Sequence, residues 1–117
     1  MTDDLMAWLG PAANDLTPEQ IERVEAESRA IDERYSKPDE HEEREAALSA
    51  VVQYLLGETT AEAANRELVA ARSQERRAYV AALQVAVMRH RDGTPKAVAA
   101  REAGVDRMGL LKALGER

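Results

Sequence analysis

The chain has 117 residues, a formal charge of −6 and no cysteine, so disulfides, thiolate catalysis and cysteine metal sites are excluded. Trp8, Tyr35, Tyr54 and Tyr79 are its only aromatic residues. A core built from Ala, Leu and Val implies closely approaching helices, and an all-α fold of single-domain size is expected. The apolar run in the opening MTDDLMAWLG is too short for a signal peptide or membrane span, and a cytoplasmic protein without membrane attachment is expected.

Leu5, Met6, Trp8 and Leu9 form a small apolar cluster closed by Gly10 and Pro11, read as a turn of helix folded onto the body as a lid. Thr17-Pro18-Glu19-Gln20 has the pattern of a capping box with proline in the first turn, which starts a helix running to about Tyr35. Within it Ile21, Val24, Ser28, Ile31 and Tyr35 fall at alternating steps of three and four. That narrow seam suits pairing with another helix, and Ile21, Val24 and Ile31 are candidate homodimer contacts.

Ser36-Lys37-Pro38 interrupts the pattern, and the acidic run from Asp39 to Glu45 opens the next helix, where carboxylates favour the positive end of the helix dipole. Ala47, Leu48, Val51, Val52 and Leu55 then make the broad apolar face of a central core helix ended by Gly57. The acidic run reads as a solvated helix start, with a divalent-metal or basic-partner site as the competing reading. His41 does not complete a metal site, because the other histidine, His90, lies far along the chain between Arg89 and Arg91.

Thr59 and Thr60 offer a further cap, and from Ala61 to about Asp92 no Pro or Gly stops a helix. Its apolar stripe shifts from Ala61, Ala64, Leu68 and Ala71 to Val80, Leu83 and Val87, which predicts a kink or break near Ser73. The segment from Gln74 to Arg91 would then open a three-helix unit. Arg72, Arg76, Arg77, Arg89 and Arg91 become phosphate contacts, against the plainer reading of solvent-facing arginines paired with carboxylates.

In the C-terminal stretch GTPKAVAAREAGVDRMGLLKALGER, Thr94 and Pro95 read as N-cap and first helical residue of a short helix to about Ala103. Ala100 supplies a small residue for close helix contact and Gly104 a tight turn. Asp106 caps a second helix ending near Leu114, with Gly115 as its stop. Val98, Ala99, Val105, Leu110 and Leu114 are expected inside. Lys96, Arg101, Arg107, Met108, Leu111 and Lys112 are expected outside.

On these residues the segment from Thr94 to Leu114 resembles the helix-turn-helix of bacterial and phage regulators and site-specific recombinases. Ala100, Gly104, Val105 and Leu110 carry the likeness; Gly109, which supplies no side chain to read a base, and Leu111, where the family often has a polar residue, depart from it. The resemblance implies a C-terminal tri-helical reader that places helix 106–114 on double-stranded DNA, and the function expected from the whole reading is that of a small transcriptional regulator. The expected DNA-binding set is Thr94, Lys96, Arg101, Asp106, Arg107, Met108 and Lys112, with Arg76, Arg77, Arg89 and Arg91. Arg107 and Lys112 serve base edges or phosphates, while Thr94 and Lys96 meet the backbone at a helix N-terminus.

Charge is distributed accordingly. Residues 1–65 hold five Lys or Arg against sixteen Asp or Glu, whereas residues 66–117 hold eleven against six. The organisation expected is an acidic helical region over 1–57, for dimerisation or partner binding, and a basic region over 58–117. No catalytic constellation is visible. There is no glycine-rich phosphate loop, no Cys or nearby His activates Ser28, Ser36, Ser49 or Ser73, and Glu42, Glu43 and Glu45 should lie in solvent. No enzyme activity, cofactor or metal is expected. The alternative to a DNA reader is an all-helical adaptor, without nucleic-acid binding, whose acidic half takes a basic protein surface.

Overall fold

A computed structural model of the chain describes residues 3–116. It is all-helical, with α1 Asp3–Leu9, α2 Pro18–Arg34, α3 His41–Leu55, α4 Ala61–Arg91, α5 Lys96–Ala103 and α6 Arg107–Ala113. Short 3-10 turns at Gly10–Asp15 and Pro38–Glu40 precede α2 and α3. No strand occurs among the described residues. The chain divides between Ala64 and Asn65 into two compact units, each with its own core.

In the first unit Leu5, Leu9, Leu16, Val24 and Val52 form the buried cluster, with Ile21, Leu48, Val51 and Leu55 packed around it. The opening apolar residues therefore do fold onto the body, through Leu5 and Leu9, while Met6 and Trp8 stay exposed. The capping box forms as read. Thr17 Oγ1 accepts from the Gln20 amide, and Gln20 Oε1 accepts from the Thr17 amide. Gln20 Nε2 also donates to the Leu55 carbonyl at 3.1 Å, tying the start of α2 to the end of α3.

The turn between α2 and α3 is held by Arg44, whose guanidinium donates to the carbonyls of Tyr35 and Lys37. The acidic start of α3 is largely exposed, and among the described residues no three His, Asp or Glu side chains stand close enough to hold a metal ion. The seam offered for homodimer pairing is used inside the unit: Val24 and Ile31 are 0% and 3% exposed. The helix covering Val24 is α3 of the same chain, because the Ser36-Lys37-Pro38 turn brings it back alongside α2.

The first turn of α4 belongs to this unit as well. Ala61 and Ala64 line an apolar groove of about 430 Å³ with Val51, Tyr54 and Leu55, so the boundary falls later than the Gly57 stop.

α4 runs unbroken for 31 residues, so the break expected near Ser73 does not occur. Residues 72–77, Arg-Ser-Gln-Glu-Arg-Arg, are mostly strong helix formers without Gly or Pro. The shift of the apolar stripe does not interrupt the helix, and the stretch between its two ends stays helical while exposed. Thr60 Oγ1 accepts from the Ala63 amide and caps its start.

The second core comprises Ala86, Val87, Ala99, Ala100 and Leu110, with Leu83, Ala103, Val105 and Leu114 packed against it. The end of α4, α5 and α6 thus share one centre, and the alanines let their backbones approach. α5 stops as its sequence dictates: Gly104 takes φ +71°, the left-handed conformation that a side chain disfavours. The Val105 amide then donates to the Ala100 carbonyl and the Gly104 amide to that of Arg101, which closes a Schellman turn. α5 begins one residue later than read, since Pro95 at ψ 144° stands outside the helix as its N-cap.

Candidate nucleic-acid interface

α6 is anchored by one face and open on the other. Leu110 is completely buried in the second core, and Leu111 is half-buried, which corrects the expectation that it points outward. Met108 and Lys112, four residues apart, share the exposed side, and Arg107 stands exposed in the first turn. Between Met108 and Lys112 the surface dips over Gly109 into an open groove. Asp106 occupies the N-cap position with an extended backbone, but its side chain makes no capping bond. As an acceptor-only carboxylate it suits a base amine and repels a phosphate.

The cationic side chains of this unit fall into two groups by what they touch. Lys96 Nζ lies 2.5 Å from Glu116 Oε1, and Arg89 Nη2 lies 3.4 Å from Glu102 Oε1. Lys96 is half-buried, contrary to its expected outward placement. After α6 the Glu116 amide donates to the Leu111 carbonyl, and the returning tail sets its carboxylate against Lys96. Arg101, Arg107, Lys112, Arg91, Arg76 and Arg77 are exposed and form no ion pair with another described residue.

Thr94 is half-buried, and its carbonyl accepts from His90 Nδ1 at 2.8 Å, which ties the loop before α5 to the end of α4. At the head of α5 the first-turn amides have no helical acceptor and project from its N-terminus. Arg101 lies on the outward side of α5 while Ala99 and Ala100 face the core. Arg76 and Arg77 sit on the long exposed stretch of α4, outside the second core and within a turn of Tyr79, which meets α6 at Gly109.

The structure thus brings Arg107, Met108 and Lys112 together on α6. It leaves Arg101 and Arg91 exposed in the chain's second unit, and ties Lys96 and Arg89 to carboxylates. Two relationships were not visible from the sequence: the Lys96–Glu116 pair and the packing of Tyr79 over Gly109. For the second a signal existed, because a glycine inside a helix often marks a close approach. No family model, no curated protein and no solved structure matches the chain.

Proposed function

We propose that residues 65–117 form a helix-turn-helix reader of double-stranded DNA, with α6 as the reading helix, and that the protein is a small transcriptional regulator. The observation that carries this reading is the arrangement of α6. Its Leu110 side is locked into a three-helix core across a Gly104 turn, and its other side presents Arg107, Met108 and Lys112 with no internal charge partner. An anchored helix with a bare cationic face is what insertion into a major groove requires.

The excess of eleven cations over six carboxylates in residues 66–117 supports the same reading, since phosphate attraction supplies most non-specific affinity. Arg107 and Lys112 reach bases or phosphates from α6, Arg101 meets the backbone beside it, and Met108 makes apolar contact in the groove. Lys96 and Arg89 contribute only if DNA displaces Glu116 and Glu102; the exposed Arg89–Glu102 pair is worth at most about 1 kcal/mol and yields readily to phosphate, while Lys96 is half-buried and held more firmly. One seven-residue reader gives few contacts, so two copies acting on two half-sites are proposed.

The test is fluorescence anisotropy of the full chain with mixed-sequence duplex DNA, in parallel with Arg107→Ala/Lys112→Ala. The reading requires binding by the parent chain and at least several-fold weaker binding by the folded variant. Equal affinity of the two removes α6 from the interface, and no binding by either hands the protein to the adaptor class.

A further inference from the structure

From Asn65 to Ala81 every residue of α4 is exposed except the half-buried Ser73. Leu68, Val69, Tyr79 and Val80 lie there with relative exposures of 47%, 55%, 45% and 62%. They are on a helix whose downstream end packs Leu83, Ala86 and Val87 into a core; of the four only Tyr79 meets another element of the second unit, its phenol lying over Gly109 of α6, and the residue stays 45% exposed. Arg72, Glu75, Arg76, Tyr79 and Val80 recur at steps of three, four, seven and eight, which places them on one side of the helix. Their side chains wall an open groove of about 620 Å³. The first four, Arg72, Glu75, Arg76 and Tyr79, have the i, i+3, i+4, i+7 spacing of the hole into which a knob from a facing helix inserts.

We propose that this face of α4 is a self-pairing surface, occupied by α4 of a second copy running antiparallel about a two-fold axis between Ser73 and Gln74. Charge favours a second copy running antiparallel, with Arg76 of each copy left at the edge of the seam. In that register Arg72 of each copy meets Glu75 of the other, and Leu68 of each packs beside Tyr79 of the other. A C2 interface must be self-complementary, and these two reciprocal pairs satisfy it. Parallel pairing in register sets Arg72 against Arg72 and Arg76 against Arg76 on the same face. A phosphate backbone would satisfy the arginines and leave Leu68, Val69 and Val80 in water. Ala71 and Ala78 flank the seam and let the backbones come close.

This inference stands apart from the DNA reading, because it concerns a face of α4 and is tested without DNA, although Tyr79 also touches α6 at Gly109. It has a consequence for that reading all the same. At 1.5 Å per residue, Leu83, which touches the α6 seat at Gly109, lies about 14 Å from the axis, so the two seats stand roughly 30 Å apart along α4. Successive major grooves on one side of DNA repeat at about 34 Å.

The experiment is sedimentation equilibrium of the full chain without DNA, with far-UV circular dichroism to confirm folding. The parent should show a mass that doubles with concentration. Arg72→Glu and Glu75→Arg should each be folded monomers, and an equimolar mixture of the two should recover the dimer, since each charge then finds its opposite on the partner. Direction is read separately: the natural chain has no cysteine, so Leu68→Cys/Tyr79→Cys should oxidise to a covalent dimer and Leu68→Cys alone should not. A parent that stays monomeric at every concentration overturns the proposal. So does a dimer indifferent to both charge reversals, and so does efficient crosslinking of Leu68→Cys alone.

Discussion

The Tyr79 phenol lies over Gly109, so near that a β-carbon on Gly109 would stand 2.6 Å from the Tyr79 hydroxyl and 4.0 Å from Leu83 Cδ1. Gly109 is interior to α6, where glycine costs about 1 kcal/mol relative to alanine. Its place there is explained by the contact it permits with α4.

That contact makes a testable double-mutant cycle. With Tyr79 replaced by Ala, Gly109→Ala should stabilise the second unit by about 0.5 to 1 kcal/mol, the helix-propensity gain alone. In the parent the same change must displace the phenol, and its benefit should shrink or reverse. Amide exchange at Ala99, Ala100 and Leu110 measures both. Equal effects in the two backgrounds would show that the residues do not interact.

Gly104 offers a cleaner case, because no atom lies within 4 Å of where its β-carbon would be and only the backbone opposes a side chain. Gly104→Ala should cost about 1 kcal/mol, and Gly104→Asn less, since Asn tolerates the left-handed region better. Indifference to alanine, read from the same amides, would mean that the turn does not hold the φ described.

Val24 separates a core role from an interface role. It is completely buried within one chain, so Val24→Ala should lower the stability of the first unit by about 2 kcal/mol. Urea unfolding followed by Trp8 fluorescence reports on that unit. The sedimentation behaviour of the folded variant should match the parent's; a change in self-association would return this seam to the interface.

Arg44→Ala should unfasten the turn between α2 and α3, with a loss of about 1 to 2 kcal/mol for two charge-assisted hydrogen bonds at a partly exposed site. Lysine, which lacks the planar fork, should recover only part of it. Full recovery by Arg44→Lys, in the same fluorescence measurement, would show that charge alone suffices.

What was legible in the sequence was local. The Thr17 capping box, the Gly104 turn and the buried Leu110 each depend on residues within a few positions of one another, and each occurs where the pattern put it. Contacts between distant segments were not legible. Nothing near Lys96 announces Glu116, and nothing near Arg44 announces the carbonyls it fastens. Two patterns in the sequence are ambiguous by their physics. A three-four seam through Val24 and Ile31 says that a partner helix exists, not which chain supplies it. The shifting stripe around Ser73 says that the apolar face of α4 moves, not that the helix ends, and a helix without Gly or Pro continues through such a shift. Of the expected contact set, the outward placement of Arg107, Met108 and Lys112 followed from the periodicity about Leu110, whereas the engagement of Lys96 and Arg89 by carboxylates depended on tertiary return of the chain.

The central claim is that α6 reads duplex DNA, and its most direct test is anisotropy with a duplex at about 50 and 200 mM salt. Arg101, Arg107 and Lys112 acting on three phosphates per copy, and so six for two copies on one duplex, predict affinity falling roughly 10³-fold across that range, and a shallower slope for Arg107→Ala/Lys112→Ala. A folded protein that shows no binding at the lower salt, or binding indifferent to salt, contradicts the account.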